Sequence, residues 1–245
     1  MRKIFFMLLG MVLFYAAAIA APVEFEEDII PTSAGDLKIT FIGHGSLMLT
    51  IADTNIHIDP WSKTADYTLL PKGDIILITH EHRDHLDPLA LEAIRKEDST
   101  IILTEKCRRQ LGSGKILKNG EKETVRKILI EAVPAYNLLH KRDTGELFHP
   151  KGEGNGYILT IGDKRLYIAG DTENIPEMKK LSAIDCAFLP MNLPYTMTPA
   201  MVADAAKAFK PMILYPYHYG DTDPAQLVDL LQKHKEIEVR IRRMQ

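Results

Sequence analysis

An unbroken apolar run, Ile75 to Ile78, lies between Asp74 and Thr79 and is followed at once by His80-Glu81-His82-Arg83-Asp84-His85-Leu86-Asp87. A run without polar alternation predicts a strand covered on both faces, which requires further layers on either side of its sheet. Three of the nine histidines and one aspartate then fall within six positions of the strand end. A charged, solvated loop accounts for Glu81 and Arg83 but not for that concentration of imidazole. Imidazole and carboxylate are the donors that suit zinc and similar divalent ions, and the same donors serve manganese and iron. The spacing is not that of a helical zinc protease, which needs H-E-x-x-H, because the position four after His80 is Asp84.

The rest of the chain sets the frame for this cluster. Its 245 residues are 46% hydrophobic and 26% charged with a formal net charge of -3, which excludes extended disorder. There is no basic excess to neutralise a phosphate backbone, so no nucleic-acid partner is expected. Two cysteines, Cys107 and Cys186, cannot build a disulfide scaffold; Cys186 reads as a core thiol and Cys107 as part of a helix after Thr104. Arg2 and Lys3 precede an apolar run from Ile4 to Ala20 that ends in Ala18-Ile19-Ala20. This is the pattern of a signal peptide over residues 1–20, and it predicts a periplasmic or secreted protein with no stable membrane anchor after cleavage. An uncleaved anchor is the competing reading. Residues 21–36, acidic and turn-rich, read as a leader onto a domain spanning 37–245.

Within that domain, strand pairs precede strand-helix alternation twice. Leu37–Ile42, Ser46–Ile51 and Asn55–Ile58 lead to the apolar run and to a helix at Pro88–Lys96 capped by Asp87. Ile128–Val133, Tyr157–Ile161 and Arg165–Ala169 lead to Asp185–Leu189 and a helix at Thr198–Phe209. A strand at Met212–Tyr215, a helix at Pro224–Lys233 and a closing strand at Ile237–Ile241 follow. Two sheets packed face to face with helices outside fit this order. Residues 134–156 form a long loop rich in Gly, Pro, Asn and His, a length that is usually functional or mobile.

His80, His82, Asp84 and His85 match the H-x-H-x-D-H signature, and the chain resembles the metallo-β-lactamase superfamily. Tyr167 to Thr172 is similar to the family's strand ending in Gly-Asp-Thr, and Pro216-Tyr217-His218-Tyr219 to its final strand-end histidine. Phe41 to Ser46, Ile58-Asp59-Pro60, Val133 to Asn137 and Phe148 to Gly152 resemble the branch of ascorbate-6-phosphate lactonase-like and N-acyl-phosphatidylethanolamine phospholipase D-like enzymes. The resemblance implies an α/β fold, a four-layer αββα sandwich. It implies one metal on His80, His82 and a third histidine, another on Asp84, His85 and His218, and Asp171 as the bridge. The usual place of the third histidine is taken by Asn137, and His149 and His140 both lie in the adjacent loop, with His149 preferred. Asp59 is placed to orient a ligand histidine. His44, Asn137 and Tyr195 are candidate substrate contacts, and Asp84 is the candidate catalytic group.

The function implied is an exported hydrolase of a small-molecule ester, a phosphodiester or a lactone, with one or two divalent ions, zinc first and manganese or iron next. The competing class is a non-catalytic metal- or ligand-binding module on the same fold, kept open by Asn137. A true β-lactamase ranks below both. Oligomeric state is not legible.

Overall fold

The computed structural model describes residues 24–244, so the segment read as a signal peptide lies outside the described residues. The first sheet runs in chain order through β1 (Glu26–Thr32), β2 (Gly35–Gly43), β3 (Ser46–Ile51), β4 (Thr54–Ile58), β5 (Ile75–Leu77), β6 (Thr100–Leu103) and β7 (Lys115–Ile116). The second runs through β8 (Lys122–Val125), β9 (Ile128–Ala135), β10 (Gly154–Ile161), β11 (Lys164–Ile168), β12 (Cys186–Pro190), β13 (Ile213–Tyr217) and β14 (Glu238–Val239). In each sheet the first four strands pair antiparallel and the later ones parallel. The parallel steps are crossed by helices: α1 (Pro88–Ile94) and α2 (Glu105–Leu111) in the first half, α3 (Pro199–Phe209) and α4 (Ala225–Leu231) in the second.

Side-chain alternation makes the layers. Leu47, Leu49 and Ile51 of β3 join the core between the sheets, whereas Met48 joins a second cluster with Ala90, Leu91 and Ile94 of α1. The run through β5 divides the same way: Ile75 and Leu77 join the core between the sheets, and Ile76 and, just past the strand, Ile78 join the cluster under the helices. That is why the run is apolar throughout. Each such side chain buried contributes about 1.5–3 kcal/mol. Phe188 of β12 stacks on Tyr215 of β13 with ring centroids 4.9 Å apart, and Val202, Ala206 and Phe209 of α3 cover the outer face of the second sheet. The architecture is the expected αββα sandwich. Asp87 caps α1 by accepting from Leu89 N at 2.9 Å, with Pro88 in the first turn. Both cysteines are buried, and burial pushes Cys107 up to about 11 and Cys186 up to about 12.

The expected leader at 21–36 is corrected. From Glu26 onward it is the edge strand β1, paired along its length with β2 from Glu26 against Phe41 to Thr32 against Gly35. Its acidic residues belong to an edge, where charge blocks pairing with other chains. Asp28 is also clasped by the C-terminal tail, through Arg242 at 2.6 Å and Arg240 at 3.2 Å, so both ends of the domain close on each other. The loop expected at 134–156 is shorter, since β9 continues to Ala135 and β10 begins at Gly154.

Candidate metal centre

The candidate side chains stand at one end of the sandwich, on segments that leave strand ends. His80, His82, Asp84 and His85 occupy the loop between β5 and α1. Asp171 follows β11, His218 follows β13, His149 lies between β9 and β10, and His44 sits in the β2–β3 turn. Backbone hydrogen bonds lock these segments together: His218 N donates to His44 O at 2.9 Å, and Asn155 N to Thr79 O at 2.8 Å. Gly170 adopts φ +64°, and a Cβ there would meet Asn155 O at 2.7 Å, so glycine is what lets Asp171 enter the site. His44, Asp59 and His218 hold φ of 55°, 44° and 46°. Such conformations cost about 1–3 kcal/mol each and persist where surrounding structure enforces them.

Two groups of ligand-type atoms result. In the first, His82 Nδ1 lies 3.0 Å from His80 Nε2 and 3.2 Å from His149 Nε2, and His149 Nε2 lies 3.3 Å from Asp171 Oδ2. In the second, Asp84 Oδ2 lies 3.8 Å from His85 Nε2, 3.5 Å from His218 Nε2 and 3.0 Å from His44 Nε2. Asp171 spans both, with Oδ1 3.6 Å from His85 Nε2 and Oδ2 3.6 Å from His218 Nε2. These separations suit the edges of a polyhedron around an ion roughly 2.0–2.2 Å from each donor. His85 Nε2, His218 Nε2 and Asp171 Oδ1 are buried without any hydrogen-bond partner. Buried polar atoms rarely go unpaired, and three of them aimed at one another fit a divalent ion. His80, His82, His149 and Asp171, and separately His44, Asp84, His85 and His218, could each hold one.

A further set of residues fixes the imidazoles. Asp59 accepts from His85 Nδ1 at 2.8 Å and from Thr79 Oγ1 at 2.6 Å, and Thr79 Oγ1 in turn accepts from His80 Nδ1 at 3.0 Å. His149 Nδ1 donates to Asn137 Oδ1 at 2.5 Å. Asn137 is 1% exposed and its amide nitrogen donates to Glu173 and to Tyr195 O, so it is corrected from a substrate contact to a buried positioning residue. Of the two loop histidines left open, His149 enters the cluster, while His140 Nδ1 turns to Glu173 Oε1 at 2.7 Å. Glu173 was not legible in the sequence. It is fully buried and accepts from the backbone of Leu138, Leu139 and His140 at 2.7–2.9 Å, partners that no side-chain pattern encodes. His44 and Tyr195 do line the cavity above the cluster, about 460 Å³ in volume, with Arg83, Arg142, Phe148 and Asn192. A larger open groove of about 660 Å³ between Glu92 and Lys115 lies away from both groups.

Electrostatics divide the two groups. Burial lowers His80 well below the ordinary imidazole range and also lowers His82, aided by neighbouring histidines, so both favour the neutral form that binds metal. Burial opposes charge on His85 too, but Asp171 and Asp59 outweigh it and push it up to about 10. Burial alone would raise Asp171, yet His218, His85 and His149 hold it well below the carboxylate range. A raised histidine carries its proton at neutral pH and must lose it to bind an ion. Zinc affinity at the second group is therefore expected to rise with pH, about tenfold per unit between pH 6 and 9. Calorimetry in buffers of different ionisation enthalpy should register the released proton. An affinity flat across that range would contradict the assignment.

Comparisons with known proteins agree with this geometry. A model described as Beta-lactamase superfamily domain matches residues 38–218. A UPF0173 metal-dependent hydrolase of Enterococcus faecalis is 34% identical over 194 residues, covering 73% of this chain and 85% of that protein. Another, of Desulforamulus reducens, is 30% identical over 197 residues, covering 75% and 85%. The crystal structure of a protein assigned as a metal-dependent hydrolase from Parabacteroides distasonis matches with a TM-score of 0.87 at 55% identity, covering 91% of this chain and 100% of that one. Igni18, a metallo hydrolase from Ignicoccus hospitalis, matches with a TM-score of 0.70 at 24% identity over 85% of this chain and 96% of that one, and supports the fold alone. The chain belongs to the metallo-β-lactamase superfamily. It is a metal-dependent hydrolase.

Proposed function

We propose that the protein is an exported hydrolase that holds two zinc ions and cleaves a small-molecule ester, a phosphodiester or a lactone. The observation that carries this reading is the pair of ligand groups sharing Asp171 beneath a cavity of about 460 Å³. His80, His82 and His149 would hold one ion, Asp84, His85 and His218 the other, with Asp171 between them. Bound there, divalent ions supply Lewis acidity: they lower the pKa of water toward neutrality and polarise a substrate oxygen.

The chain's own residues do the rest. Asp84 is one-third exposed, at 32%, and faces both His218 and the cavity. Burial works against its charge, but the neighbouring imidazoles of His218, His44 and His85 keep it ionised far below the usual range. It is placed to accept a hydrogen bond from the attacking water and so to orient it. Asp59, Thr79 and Asn137 hold the outer nitrogens of His85, His80 and His149, which keeps the rings aimed. Phe148 and Tyr195 meet edge to face at 5.0 Å and form an apolar wall that limits water beside the reacting centre.

The test is a panel on zinc-loaded protein. Turnover of bis(p-nitrophenyl) phosphate or of a chromogenic lactone, with none of nitrocefin, is the expected result. Nitrocefin as the sole substrate turned over would reverse the assignment in favour of a β-lactamase. The non-catalytic alternative rested on Asn137 replacing a histidine, and His149 standing in the first group removes that motive. Export is supported by the N-terminal pattern of Arg2 to Ala20, and among the described residues no helix is long and apolar enough to cross a membrane. N-terminal sequencing of the mature product beginning at Ala21 would agree with it.

A further inference from the structure

Trp61, the single tryptophan of the chain, stands two residues after Asp59 in the segment that leaves β4. Contacts that fix the metal centre also fix this segment. Asp59 holds Thr79 and His85, and the chain then turns so that Trp61 N donates to the hydroxyl of the buried Tyr67 at 3.1 Å and Thr64 N donates to Trp61 O at 2.9 Å. Ser62 donates to Asp87 Oδ2 through its backbone N at 2.8 Å and through its hydroxyl. The other oxygen of that carboxylate accepts from Leu89 N at 2.9 Å. One buried carboxylate thus pins the Trp61 segment to the first turn of α1. Between the two lies a groove of about 630 Å³, lined by Trp61 and Lys63 from one segment and by Leu86, Pro88 and Leu89 from the other.

The groove is continuous with the cavity above the cluster, because Arg83 and Asp84 line both. The rings of His218, His44 and Trp61 also follow one another, with centroids 3.8 and 4.8 Å apart, so the indole lies two rings out from His218. Its lining is apolar where the fold gives no reason for it. Ala90, Leu91 and Ile94 of α1 are buried, whereas Leu89 is 75% exposed and Pro88 beside it is exposed as well. A preformed concavity of an indole and aliphatic side chains suits a flat apolar group. Charge narrows the choice further. Asp87 is engaged by Ser62 and Leu89, and Asp84 by His44, so the charges left to meet an occupant are the cations Lys63 and Arg83. Lys63 Nζ lies 5.4 Å from the centre of the Trp61 ring. An aromatic group on a neutral or anionic molecule fits this lining, and a cationic group is repelled by it.

We propose that this groove is a second subsite, which takes an aromatic arm of the substrate while the ester lies over the metal centre. This rests on the hydrolase reading and deepens it, because it names the kind of ester: one with an aryl group tethered to the reacting centre and no positive charge on that arm. The experiment titrates zinc-loaded protein with three non-hydrolysable phosphonates, methylphosphonate, 4-phenylbutylphosphonate and 4-aminobutylphosphonate. Affinity is read by calorimetry, and the emission of Trp61, which no second indole obscures, reports on the groove itself. In wild type the phenyl compound is expected to bind about tenfold or more tighter than methylphosphonate and to shift the Trp61 emission, while the amino compound gains nothing. Trp61→Leu and Leu89→Ser should each remove most of that advantage, taken as the ratio of the two affinities within each protein, so that any change in zinc content cancels. Leu69→Ser alters a leucine that is 78% exposed and outside the groove, and should keep the ratio within about twofold of wild type. Equal affinity for the phenyl and methyl compounds in wild type, or binding of neither, would overturn the proposal. So would an advantage that survives both groove substitutions, which would place the arm against Phe148 and Tyr195 instead. Emission that moves with protein concentration and not with the phenyl arm would assign the groove to a second copy of the chain and overturn it too. The two readings fail separately. Protein inert toward every ester, yet with the expected ratios and emission shift, would remove the hydrolase reading and leave the subsite. Ester turnover with ratios indifferent to Trp61 and Leu89 would do the reverse.

Discussion

Replacing Asp171 by Ala is expected to lower hydrolysis by about three orders of magnitude or more while leaving a folded chain. The carboxylate is buried, and its two oxygens approach His80, His85, His149 and His218 within 3.3–3.8 Å. Two divalent ions held close together repel, and a carboxylate between them offsets that repulsion as no neutral side chain can. Without it each group loses a ligand and both lose their shared counter-charge. The fold does not depend on it in the same way. Asp171 makes no backbone bond from its side chain, and Oδ1 has no hydrogen-bond partner at all. Removing a buried carboxylate of this kind takes away a desolvation cost along with its attractions. Asp171→Asn keeps the shape and loses the charge, so it should share the loss of activity. Circular dichroism and metal content measured beside turnover would check the prediction, and full activity in a metal-free Asp171→Ala protein would refute it.

Asn137→Ala is expected to weaken zinc binding at the first group by about 10–100-fold, the usual effect of removing the partner of a ligand's outer nitrogen. Asn137 is what keeps His149 in the tautomer with Nε2 bare, through the bond at 2.5 Å. It also joins three segments, because its amide nitrogen reaches Glu173 Oε1 at 3.1 Å and Tyr195 O at 2.9 Å. Loss of those buried bonds should cost about 1–3 kcal/mol of stability as well. A zinc titration should therefore show one step displaced to higher concentration and the step belonging to Asp84, His85 and His218 little changed. Two unchanged steps would mean that His149 is not a ligand.

Much of this site was legible because strand ends carry it. An apolar run that stops at Thr79 and turns into histidines puts His80 at the rim of a sheet whatever the loop does. The same holds for Asp171 after Tyr167-Ile168-Ala169 and for His218 after Tyr215-Pro216-Tyr217. The choice between His140 and His149 was not legible, because the loop around them is shaped by backbone N–H groups of residues 138–140 converging on Glu173. Asn137 misled for a related reason: it occupies the usual ligand position and acts one bond further out. Edges of the sheets were also hard to read. β1 and β8 alternate exposed and partly buried residues and carry charge on both faces, as Glu26, Glu27, Lys122 and Glu123 attest, and at an edge such a pattern resembles a solvated segment.

The central claim is that these distant side chains form one site for two ions. Titration of zinc into metal-stripped wild-type protein, with the bound ions counted by native mass spectrometry, tests it most directly. The result predicted is two ions per chain in wild type and loss of both in Asp171→Ala. No retained ion in wild type, or the same count in both proteins, would contradict it.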